Sequence, residues 1–434
     1  VIAPRPEPGR GPAPDVPLRY LLLSAVAFVL AAPAVAWLAP ELAGHYYHPH
    51  VVALTHAVTL GWITCAIMGA SYQLIPIVLG RPIWSQRLAR WQFWLLLLGL
   101  GGMVAHFYMA AWPGLMLAAG LFAAGVALHL TNVAWSLRGF DRWDFTARLV
   151  VLGYAGLALT VVAGLALGVD RVVTVLPADF FSTLHAHVHL ALLGWVVPMV
   201  LGVAARLYPM FLLAPVPRGW PERLQFWGLL IGVPAVTLGV LLRIPAVQAG
   251  GALAVAVAAC GHLAWVVTMA RQRRRPRLDW GLRLVLAGAA FLVPGAGLGL
   301  ALALDLVSGP RFALAYMVVV LGGWISLTIA GVMLKIVPFL VWYRVYGPRA
   351  GKERVPTLPE LSWHPVEGAA SILLIAAVVA LAAAVLDGST EAILGAGVVL
   401  ALGALAFAAA LGRVLALLTR PAAAPVPRWA EVKR

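Results

Sequence analysis

Charge is what this chain has least of. Only 11% of its 434 residues are Asp, Glu, Lys or Arg, while 62% are hydrophobic, against about 25% charged and about 45–50% apolar in an ordinary soluble domain. The mean hydropathy is +0.94. That balance excludes a water-soluble fold and points to an all-α polytopic membrane protein. Cysteine is nearly absent too. Cys65 and Cys260 both lie inside apolar runs, so a disulfide framework or a CxxC site is excluded. All sixteen carboxylates fall in tails, loops or helix ends. A proton pump or ion-coupled transporter normally needs one at membrane depth. Carboxylate-rich di-iron sites and glutamate-based zinc hydrolysis are equally unsupported. The chain has no GxSxG, HExxH or phosphate-loop motif, no CxxCH for covalent haem and no flavin motif. Residues 1–17 are polar and proline-bearing, unlike a cleavable signal peptide.

Apolar runs, by contrast, are plentiful. Stretches long enough to span a bilayer occur near 18–40, 51–79, 92–112, 114–136, 147–169, 180–205, 223–243, 247–270, 281–304, 312–341, 366–386 and 392–419, and are numbered spans 1 to 12. With both termini placed in the cytoplasm, the inner segments hold 28 of the 31 basic residues and the outer ones only Arg171, Arg243 and Arg311. This is the asymmetry of the positive-inside rule. The net charge of +15 is therefore a topology signal, with a contribution to anionic membrane lipids, and no nucleic-acid surface is expected. The expected location is the bacterial cytoplasmic (inner) membrane.

The chain also repeats itself. His56, Gly61, Trp62, Gly69 and Pro76 recur at His189, Gly194, Trp195, Gly202 and Pro209, each displaced by 133. At the same offset Phe93-Trp94 recurs as Phe226-Trp227, and His129 as His262. Gly323, Trp324, Gly331 and Pro338 form a third copy, 129 further on, with Val318 where histidine is expected. The expected organisation is a cytoplasmic tail (1–17), three four-span units (18–145, 146–278 and 279–420) and a second cytoplasmic tail (421–434). The marked helix is second in each unit: spans 2, 6 and 10. Repeat interfaces are where membrane folds commonly place their sites.

Histidine carries the chemistry. Span 6 opens with His185, His187 and His189. Helical positions four apart share a face and positions two apart do not, so His187 looks away from the face of His185 and His189. One helix can thus serve two pockets. His56 on span 2 and His106 on span 3 stand at similar depth, and the loop before span 2 adds His45, His48 and His50. Eight of the eleven histidines therefore gather in the outer third of the bilayer. His129 and His262 lie toward the cytoplasmic half, where a structural hydrogen bond is expected, and His364 heads span 11. Neutral imidazole is an axial ligand for haem iron and a ligand for copper. Cofactor candidates are His56, His187 and His189; metal-ligand candidates are His56, His106, His185, His48 and His50. Haem propionates in the outer leaflet would meet Arg171, Arg243 or Arg311.

The H-x-H of His187 and His189, with Gly202 thirteen and Pro209 twenty residues after the second histidine, resembles the tenth helix of haem–copper oxidase subunit I. In that family this helix holds two haems on opposite faces. His56, Tyr72, Pro76, Arg81-Pro82, Ser85, Leu88, Phe93-Trp94 and His106 are similar to the sixth and seventh helices of the cbb-type oxidase subunit, which bear copper ligands. The NnrS group, twelve-span haem proteins linked to nitric oxide handling, is a further resemblance. The likeness covers nearly the whole chain, with three departures. The H-x-H helix is sixth rather than tenth, His106 stands alone where the oxidases have an adjacent pair, and span 10 has no histidine.

The resemblance implies a haem–copper oxidase-like fold and one or two b-type haems, with copper as an additional metal. It implies nitric oxide or oxygen as gas ligand, oxidoreductase chemistry, and electrons supplied by a donor protein or respiratory-complex subunits. It identifies no catalytic residue. The residues alone leave two alternatives: a transporter or channel with a histidine-lined access site for a metal or solute, and a non-catalytic subunit of a respiratory complex.

Overall fold

The computed structural model describes residues 15–78 and 80–419. The expected tails, apart from residues 15–17, lie outside them. Among the described residues there is no β-strand, and twelve helices are long and apolar enough to cross a membrane. Spans 1 to 6 are Asp15–Trp37, Pro49–Pro76, Gln86–Tyr108, Trp112–Ser136, Phe145–Asp170 and Phe180–Leu212. Spans 7 to 12 are Trp220–Leu241, Pro245–Gln272, Trp280–Ala303, Pro310–Val345, His364–Asp387 and Thr390–Thr419. All twelve coincide with the runs expected from hydropathy. In hydrocarbon every backbone polar group must be bonded within the protein, and a helix does this segment by segment.

The starts are written in side chains. Ser85, Asp144, Asp179, Asp279 and Ser389 each accept a hydrogen bond from the backbone N–H three residues on, capping spans 3, 5, 6, 9 and 12. Proline stands in the first turn of spans 2, 4, 7, 8, 10 and 11, where its missing N–H costs nothing.

Nine spans form a closed outer ring in the order 1, 3, 4, 5, 7, 8, 9, 11, 12 and back to 1, each touching the next. Spans 2, 6 and 10 stand inside it. Their apolar windows are 56%, 72% and 72% buried, against 33–39% for the other nine, whose outward faces are left for lipid. Side-chain hydrogen bonds tie the inner spans together. Trp62 Nε1 of span 2 donates to Ser326 of span 10 at 3.0 Å, and Trp195 Nε1 of span 6 donates to Thr64 of span 2 at 3.2 Å. Continuing the cycle, Trp324 of span 10 would donate to the residue two beyond Trp195. That residue is Val197, which cannot accept, and Trp324 Nε1 is buried without a partner.

All three inner helices widen at corresponding places. π-helical segments run Ala57–Thr64, Leu190–Val196 and Val318–Ser326, each enclosing the Gly-Trp pair. The wider turn is rare and favours functional sites. Close approach explains the glycines at one crossing: a Cβ on Gly156 of span 5 would run into the carbonyl of Gly194 on span 6.

Candidate cofactor site

Span 6 sets the site. At its N-terminal end Asp179 accepts from Ser182 N–H at 3.1 Å and pairs with Arg243 at 2.7 Å. The Ser182 N–H and the guanidinium hold this carboxyl below the usual carboxylate range. Phe180–His189 is regular α-helix and the π segment begins only at Leu190, so the alternation of faces expected for the three histidines holds where it matters.

Each key imidazole is anchored through one nitrogen. His187 Nδ1 lies 3.1 Å from the Thr160 carbonyl of span 5, His189 Nδ1 2.7 Å from the His185 carbonyl, and His56 Nδ1 2.8 Å from the Val52 carbonyl. A carbonyl oxygen can only accept, so Nδ1 carries the proton and Nε2 keeps its lone pair. None of the three Nε2 atoms has a hydrogen-bond partner among the described residues. That is the state a metal-ligating histidine requires: one nitrogen oriented by the protein, the other free.

These histidines open on a cavity of about 420 Å³, lined by His56, His185, His187 and His189 among mostly apolar side chains. Its volume falls within the ~300–1,000 Å³ of small-molecule and cofactor sites. Gly164 of span 5 makes room for His187; a Cβ there would stand 3.0 Å from His187 Cε1. Phe107 of span 3 stacks on His56 with ring centres 4.4 Å apart. Toward span 10 the wall is formed by Tyr316, Met317 and Trp324.

Among the described residues, the mouth of the cavity carries one cation. Arg171 lines the cavity and lies over the rings of Phe180, Trp112 and Tyr47 at 4.2, 5.1 and 5.2 Å. Among the described residues no carboxylate lies in ion-pair reach of it, whereas Arg243 is paired with Asp179 and Arg311 donates to the Asp387 carbonyl. Tyr46, from the loop before span 2, sits 2.9 Å from His185 Nε2.

Other candidates stand elsewhere. His106 is absent from the cavity wall: its ring packs against Gly114 of span 4, with Nδ1 buried and unpartnered. Adjacent helical residues differ by about 100°, and that single step puts Phe107 where a second ligand beside His56 would have to be. A copper site shared by His56 and His106 does not fit this geometry. His48 and His50 lie with Glu41 around the loop before span 2, off the cavity wall. His129 and His262 are fully buried away from the cavity, His129 beside Tyr154 and His262 Nδ1 2.9 Å from Gln225 Oε1.

Several contributors carry no signal in the histidine pattern. Thr160 acts through its carbonyl, which any residue has. Tyr46 and Phe107 depend on the chain's path. Gln92 and Gln225 share the 133 offset and could have been found by it. Gln225 meets the repeated histidine, whereas Gln92 accepts from Tyr72.

A second, smaller cavity of about 140 Å³ lies among spans 1, 2, 10, 11 and 12. Phe28, Val318, Val378 and Leu400 help line it, and it has no titratable side chain. Thr55, Met317 and Leu321 border both cavities. No protein-family model and no curated protein matches this chain.

Proposed function

We propose that the chain is an integral-membrane b-type haem protein built on the haem–copper oxidase subunit I plan, working in redox or nitric oxide and oxygen chemistry. The observation that carries this reading is the cavity beneath the outer surface, into which three backbone-anchored histidines bring unpartnered Nε2 atoms. Haem iron held by such nitrogens supplies one-electron redox chemistry and, with a coordination position open, binds a diatomic gas.

The chain's own residues do the positioning. His187 and His189 serve opposite faces of span 6, and His56 of span 2 lines the same cavity. His187 and His189 would hold haem from those two faces, with His56 on the cavity wall. The Thr160 and Val52 carbonyls fix the planes of these rings and keep Nε2 unprotonated. Arg171 at the mouth offers a cation to a haem propionate. The mostly apolar wall would limit water at a bound iron. Electrons come from a donor protein or a neighbouring subunit.

The test is a pyridine haemochrome spectrum on protein purified after haem-replete expression. Wild type should show b-type haem. His187→Ala and His189→Ala should lose it, and His129→Ala, whose ring lies outside the cavity, should keep it. Equal haem in all three variants overturns the assignment. Absence of a Soret band in wild type returns the cavity to a solute- or metal-transport reading.

A further inference from the structure

Outside the cavity, at the outer surface, the chain path collects Glu41, His48 and His50. One ligand atom of each lies within 4.8 Å of the others, and no other such trio of His, Cys, Asp or Glu occurs among the described residues. Glu41 sits on the short helix Ala39–Gly44, the chain turns through residues 45–48, and Pro49 opens span 2. His50, in the first turn of that span, thereby faces back toward Glu41, with Nδ1 3.0 Å from Oε1. Its ring is stacked on Tyr108 of span 3, centres 4.1 Å apart and 12° from parallel, which fixes its plane. The His48 ring centre lies 4.8 Å from that of His50. Its Nδ1 is held only by the His50 N–H, at 3.3 Å, a contact long enough to give up.

We propose that Glu41, His48 and His50 bind one borderline divalent cation, Zn²⁺ or Cu²⁺, and that the bound ion fastens the intervening loop over the mouth of the histidine-lined cavity. Two imidazoles and a carboxylate are a donor set for these metals, whereas Mg²⁺ and Ca²⁺ take oxygen ligands. The ion replaces the proton shared by His50 Nδ1 and Glu41, and the fourth position is left to solvent. No Lys or Arg is paired with Glu41 among the described residues, so no fixed cation competes.

The loop between these ligands carries the cover of the cavity. Tyr46 bonds to His185, and Tyr47 packs edge-on against Phe180 and Phe181, with ring centres 5.6 and 5.4 Å away. Arg171 donates to the Tyr47 hydroxyl. A cation joining Glu41 on one side of the loop to His48 and His50 on the other removes chain freedom from the open state. It therefore favours the closed one, as any ligand favours the state it binds.

The site is independent of haem, so the test uses the full chain in detergent after chelator washing, both haem-free and haem-replete. Cu²⁺ and Zn²⁺ are titrated and retained metal is counted, with the nitrogen couplings of Cu²⁺ read by electron paramagnetic resonance. One tightly held ion per chain is expected in both preparations. Glu41→Gln, His48→Ala and His50→Ala should each weaken it by at least about tenfold, and His45→Ala should leave it unchanged. Amide exchange across residues 42–47 should slow on adding metal to wild type but not to His50→Ala. Wild-type binding in all three ligand variants would place the ion among the intramembrane histidines and overturn the proposal. So would the absence of any retained ion, and unchanged amide exchange would overturn the fastening role.

Discussion

The two cavities of this bundle both border spans 2 and 10 yet differ in every property that matters to a cofactor. One, of about 420 Å³, receives four histidines from spans 2 and 6. The other, of about 140 Å³, touches span 10 at Val318, the position occupied by histidine in the other two units, and has only apolar and hydroxyl-bearing walls. Both adjoin a π-helical widening. The widened turn is therefore a property of the scaffold, and the donors are added on top of it. The lesson is that space and ligand are separate variables here, and each can be altered while the other is held.

Altering space at the larger cavity has the largest expected effect. Gly164→Ala puts a methyl 3.0 Å from His187 Cε1, tilting the ring away from the Thr160 carbonyl. Losing such an orienting partner lowers metal affinity by about tenfold or more, read as haem per chain from the Soret band. The matched change at the smaller cavity, Gly322→Ala, meets only Val378 Cγ2 at an ordinary 3.5 Å and should leave haem content unchanged. Equal effects at the two positions would erase the distinction.

Adding a ligand without space is the converse. Val318→His restores the missing imidazole where the cavity is too small for a macrocycle. No additional haem should appear, and burial of an unpartnered polar ring should cost about 2 kcal/mol, measured as a lower thermal midpoint in detergent. A gain in haem per chain would mean that the donor alone decides.

The smallest effect concerns the link between the inner helices. Val197→Thr offers a hydroxyl to the orphaned Trp324 Nε1 and should stabilise the protein by about 1 kcal/mol, seen as a higher midpoint with haem content unaltered. A lower midpoint would show that Trp324 does not face this position.

Much of the fold could be read from the chain because lipid is an unforgiving solvent. Each span must be apolar from end to end, so all twelve stand out by hydropathy, and acidic or hydroxyl caps mark several starts. The faces of His185, His187 and His189 were legible for a similar reason: an α-helix has one phase, and here it is unbroken. Register beyond one helix was not legible. Nothing in the letters distinguishes His106 from Phe107 as the neighbour of His56, because that choice is set by how span 3 is rotated against span 2. The anchors of His56, His187 and His189 are backbone carbonyls, which leave no trace in composition. The π segments were equally silent, since an apolar run reads the same at either pitch.

The incomplete circle of tryptophan bonds has a mechanical consequence. Two of the three tryptophan bonds among the inner helices are made, between spans 2 and 10 and between spans 6 and 2, and the third is not. A hoop with one clasp undone yields first at the gap. Swelling on taking up a guest would therefore part spans 6 and 10 along the seam marked by Trp324, while span 2, held by both neighbours, stays as the hinge post.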